Sequence, residues 1–76
     1  MEKSFYQYMM EYRNRKTMRG DLARNIMREL KLHPEEAVDQ IDSEEEFMHY
    51  LFFHNACREC VAVARRCWRS YRKSQI

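Results

Sequence analysis

Residues 55–73 read NACRECVAVARRCWRSYRK, and the fold turns on this stretch. Cys57, Cys60, Val61, Ala64, Trp68 and Tyr71 recur at steps of three and four, the period of one face of an α-helix. Asn55 offers a side-chain oxygen where the first free backbone N–H groups of a helix need one. The pattern runs uninterrupted for about five turns and carries the only tryptophan of the chain. In so short a protein such a helix is the wall against which the others pack.

Working outward, 76 residues imply a single domain, 1–76, near the lower size limit for a core without staples. Ten aromatics and six methionines supply the bulk that this core requires. Gly20 and Pro34 are the only strong breakers, and β-branched residues are few, so an all-α class follows. Ser4 with Gln7 has capping-box spacing and opens a first helix to about Arg13, with Phe5, Tyr8, Met9 and Tyr12 on one face. Residues 14–20 read as a polar, basic loop. Asp21 caps a second helix whose buried stripe is Leu22, Ala23, Ile26, Met27 and Leu30. His33-Pro34 closes that helix, and a short third helix occupies 34–40. Ser43 with Glu46 opens a fourth, burying Phe47, Tyr50 and Leu51. Asn55 starts the fifth, giving a compact five-helix bundle with a long C-terminal helix.

The residues 3–13, KSFYQYMMEYR, resemble the opening of the YozE-like, SAM-like family of small bacterial proteins, which begins with Lys-Ser-Phe-Tyr and an amphipathic helix ending in Tyr-Arg. Asp21-Leu22-Ala23 stands where that family's second helix begins, and Pro34 falls near its Phe-Pro turn. Tyr50-Leu51 is similar to its Tyr-Leu pair, and Trp68 and Tyr71 to its C-terminal Trp-x-x-Tyr. Two features depart from the pattern. Leu32-His33 replaces the aromatic before proline, and the last helix is basic and cysteine-bearing where relatives are often acidic. The resemblance implies a SAM-like helical bundle of bacterial or mobile-element origin, Gram-positive, and implies no activity.

Three cysteines, all in the last third, do not make a secreted disulfide framework, and a reducing cytoplasm is expected. No 18-residue apolar run and no signal-peptide pattern is present, so a membrane role is not expected. His54, Cys57 and Cys60 are spaced for a zinc chelate, with Cys67, His33 or His49 to complete it. Cys57 and Cys60 also form a CxxC near a helix start. Free cysteines on an apolar stripe are more simply core, and packing is the expectation for all three. Neither a metal nor any other cofactor is expected. No nucleophile–base pair, phosphate loop or carboxylate dyad emerges from the spacing, so neither an enzyme nor a small-molecule substrate is expected.

The charge is segregated. Residues 1–34, 35–46 and 47–76 carry +4, −7 and +5, an imbalance able to steer partners even at a net +2. Glu35, Glu36, Asp39, Asp42, Glu44 and Glu45, with Glu46, form a candidate acidic docking surface. Arg65, Arg66, Arg69 and Arg72 of the last helix, with Arg13, Arg15, Lys16 and Arg19 of the loop, form a candidate basic one. Tyr6, Phe52 and Phe53 lie partly off their stripes and are expected to widen the core. The expected function is a small adaptor domain docking a partner protein, or a second copy of itself, through charged helical surfaces. The alternative is a nucleic-acid-binding regulator, in which the loop and the last helix together neutralise phosphates.

Overall fold

The computed structural model describes residues 3–75. Four α-helices, α1 (Phe5–Met10), α2 (Met18–Leu32), α3 (Glu44–Phe53) and α4 (Arg58–Ser74), are joined by short turns, with no strand among the described residues. Two 3-10 turns, Pro34–Glu36 and Val38–Gln40, occupy the place of the expected third helix. Ala37 separates them in the left-handed region, at φ 50°, where an α-helix cannot continue.

The starts of α1 and α3 follow the sequence signals. Ser4 and Gln7 exchange both capping-box bonds, at 3.0 and 3.1 Å, and the Ser43 hydroxyl accepts from the Glu46 N–H at 3.1 Å. Two other boundaries differ from expectation. The loop before α2 is shorter, because the Thr17 hydroxyl accepts the Gly20 N–H at 3.1 Å and caps a helix beginning at Met18. Asp21 therefore sits in the first turn, paired with Arg24, and not at the cap. The first helix also stops at Met10, where Tyr12 N–H donates to the Met9 carbonyl at 2.9 Å and the chain turns.

Asn55 ends a helix instead of starting one. Its φ of 55° is left-handed. Asn55 N–H donates to Phe52 and Ala56 N–H to Leu51, at 3.1 and 2.9 Å, the paired bonds of a Schellman ending after α3. The cap of α4 is Cys57, whose sulfur accepts the Cys60 N–H at 3.4 Å.

The expectation that the last helix is the wall holds, for α4 packs on α1, α2 and α3. Trp68, 2% exposed, lies at the centre. Its ring stacks on Phe5 with centroids 4.0 Å apart, and Phe47 and Tyr71 meet it at 6.1 and 5.4 Å. Leu22, Ala23, Ile26, Met48, Leu51, Val63 and Ala64 fill the remainder. The buried stripe of α4 is rotated from the expected one: Val63, Ala64, Cys67 and Trp68 are buried, Cys60, Val61 and Tyr71 half-buried, and Cys57 exposed. The Tyr71 hydroxyl donates to the Lys3 carbonyl at 2.5 Å, fastening α4 to the segment before α1. No described helix is long and apolar enough to cross a membrane.

Candidate functional site

The outer side of α4 is a row of cations. Arg58, Arg65, Arg66, Arg69, Arg72 and Lys73 are all exposed. At 100° per residue they span an arc of roughly 120°, along about 22 Å of helix. The row arises because the large apolar residues of α4 face inward, leaving basic residues and Ala62 on the wet face.

One edge of the row meets α3. Glu44, in the first turn of that helix, accepts from Arg72 at 2.5 Å and lies 3.9 Å from Arg65. Acidic and basic segments thus meet at Glu44. Glu45 lines the same recess with Met48, Phe52, Arg65 and Arg72. Glu36 lies apart and is engaged by His54 at 2.9 Å. Glu35 is 3.3 Å from His33. Asp39 and Asp42 belong to the turn segment before α3. Glu35, Glu36 and Glu44 thus pair with three different elements, at His33, His54 and Arg72.

The basic loop is divided too. Arg19, on α2, reaches Ser70 of α4 at 3.4 Å and lies over the Tyr12 ring at 4.8 Å, so it extends the far edge of the row. The loop itself is moored elsewhere: Arg24 donates to the carbonyls of Arg13 and Arg15, at 2.8 and 2.9 Å. Arg24 is roughly 140° round α2 from Arg19. Of Arg13, Arg15, Lys16 and Arg19, Arg19 is the one with a hydrogen bond to α4 among the described residues. Arg58, Arg66, Arg69 and Lys73 have no ion pair among the described residues.

The aromatics at the end of α3 correct another expectation. Tyr6 is half-buried, but Phe52 and Phe53 are 57% and 78% exposed. The inward face of α3 is already taken by Phe47, Met48 and Leu51. Phe52 borders Arg65 and Arg72.

Of the cysteines only Cys67 is packed in the core. Burial pushes its thiol above the ordinary range, opposed by the nearby Arg19, and burial likewise raises Cys60. The zinc set His54, Cys57 and Cys60 is not assembled, since His54 turns to Glu36.

Burial and the carboxylates of Glu29 and Glu36 push the Tyr50 phenol up to about 12. Burial raises Tyr6 and Tyr8 as well. A folded-state pKa above the unfolded one means stability that is complete below pH 10 and lost as pH rises through the folded value. Urea midpoints are expected to fall between pH 10 and 12, with a smaller fall in Tyr50→Phe. A fall equally steep in that variant would assign the loss to other groups.

The profile of the family described as YozE SAM-like fold matches residues 4–73. No curated protein and no solved structure matches the chain.

Proposed function

The chain belongs to the YozE SAM-like family, and from that premise, a fold that names no chemistry, we propose that it is a non-catalytic interaction module docking an acidic surface of a partner protein. One observation carries the reading: Arg58, Arg66, Arg69 and Lys73 stand exposed along one face of α4 with no ion pair among the described residues. Cations arranged this way raise the association rate with an acidic partner and fix its register. The exposed Phe52, beside Arg65 and Arg72, adds the aromatic and arginine composition enriched at protein interfaces. A phosphate backbone is the weaker reading because, of the four loop cations, Arg19 alone bonds to α4 among the described residues.

The test is a photo-crosslinking residue at Arg69 in cells, with a control at Arg28 on the exposed side of α2. A protein adduct at position 69, absent at 28 and lost when Arg66→Glu and Arg69→Glu are added, is the expected result. Both glutamates lie on the exposed face, so melting should stay within about 0.5 kcal/mol of wild type. In parallel, a mixed-sequence DNA duplex is titrated at low salt. Tight binding that weakens steeply with salt and vanishes in the double variant would overturn the protein-docking reading in favour of nucleic acid.

A further inference from the structure

On the side of the bundle away from the arginine row, three elements bring one metal-ligating side chain each to a common point. Glu29 comes from α2, Glu36 from the first 3-10 turn and His54 from the end of α3, and their ligand atoms all lie within 4.8 Å of one another. The spacings, 7 and 18 residues, place no two of them on one helix, so the fold itself gathers them. His54 Nε2 is already 2.9 Å from Glu36.

Several of the acids are neutralised by a cation within the fold. Glu11 is paired with Lys3, Asp21 with Arg24 and Glu44 with Arg72. Neither Glu29 nor Glu36 has a Lys or Arg ion pair among the described residues. Two neighbouring carboxylates without a Lys or Arg partner repel one another, and a cation between them relieves that repulsion. Glu29 and His54 open on a groove of about 280 Å³ lined also by Tyr50, Leu51 and Cys60.

The donor set indicates which cation. One imidazole with two carboxylates is a nitrogen–oxygen set suited to Zn²⁺, with water in the fourth position, whereas Ca²⁺ and Mg²⁺ take oxygen throughout. Ligand bonds of about 2.0–2.2 Å put neighbouring donors about 3.3 Å apart in a tetrahedron. The His54–Glu36 pair already meets that requirement. The Glu29 carboxylate, within 4.8 Å of the other two, must close by at most about 1.5 Å, within reach of a rotamer change in a half-exposed side chain.

We propose that Glu29, Glu36 and His54 form a zinc site that ties α2, the 3-10 turn and the end of α3 together, with an open coordination position facing the groove. The experiment is calorimetric titration of the reduced full chain with zinc chloride, read alongside thermal melting. One zinc per chain and a raised melting temperature are expected. Glu29→Gln with Glu36→Gln should weaken binding by about 100-fold, as should His54→Gln, while Cys57→Ser with Cys60→Ser leaves it unchanged. Circular dichroism of each metal-free variant should match wild type, because Glu36 and His54 side chains are 28% and 29% exposed. No saturable binding up to about 1 mM zinc overturns the proposal. So does binding that survives the glutamine pair, or that is lost with the serine pair, since either places the metal elsewhere.

Discussion

Gly20→Ala is expected to destabilise the protein by about 2–4 kcal/mol, although glycine inside a helix ordinarily costs about 1 kcal/mol relative to alanine. A Cβ at this position would meet the Arg15 carbonyl oxygen at 2.0 Å, the Arg15 carbonyl carbon at 2.9 Å and the Tyr12 oxygen at 3.0 Å. All three are backbone atoms, so no side-chain rotation relieves the contact. The turn leaving α1 would have to lift away from α2, and the Arg24 bonds to the Arg13 and Arg15 carbonyls would stretch with it. Urea denaturation followed by circular dichroism measures the change. A midpoint equal to or above wild type would show that the turn yields freely, so that helix propensity decides the outcome.

Trp68→Ala is expected to cost about 3–5 kcal/mol. At about 0.05–0.15 kcal/mol per residue, a domain of this size holds roughly 4–11 kcal/mol in total, so the variant should lose from about a quarter to all of its stability. The size of the loss follows from the position of the indole, stacked on Phe5 and edge-on to Tyr71 at the meeting of α1 and α4. Trp68→Phe should cost much less than the alanine change. Phenylalanine keeps an aromatic face for Phe5 and removes Nε1, a buried donor with no hydrogen-bond partner among the described residues, whose burial itself costs about 1–3 kcal/mol. The two urea midpoints test this ordering. Equal losses would mean that the indole's full volume, and not its stacking face, holds the core.

What the sequence made legible was whatever depends on neighbours a few residues apart. The Ser4–Gln7 and Ser43–Glu46 spacings announced helix starts because the bonds they make are local. The inward faces of α1 and α2 followed from apolar periodicity for the same reason. The motifs 3–13, Tyr50-Leu51 and Trp68 with Tyr71 carried a resemblance that the family match over residues 4–73 bears out.

The errors came where one residue type serves two purposes. Gly20 looked like a breaker, yet it lies within α2 because the turn above it needs the space. Asn55 suits a helix cap and also the left-handed residue after a helix, and only the Phe52 and Leu51 carbonyl bonds select the second role. Phe52 and Phe53 carried no local sign that Phe47, Met48 and Leu51 would already occupy the inner face of α3.

The candidate sites were legible only as lists of charges. Periodicity put Arg65, Arg69 and Arg72 on one helix side, but the Glu44 contact that partly neutralises Arg65 and Arg72 crosses between helices. The mooring of the loop by Arg24 is equally non-local. The convergence of Glu29, Glu36 and His54 had no sequence signature, since it depends on how three elements pack.

The fastening of Tyr71 to the Lys3 carbonyl has a mechanical consequence. It brings the two extremes of the described fold side by side, so a pulling force applied through them would not shear α1 along α4. The load would fall first on that hydrogen bond and then on the Phe5 ring against Tyr71 and Trp68, opening the bundle one contact at a time, as a zipper does. A domain fastened in this way resists heat through its shared core but offers little resistance to traction at its ends.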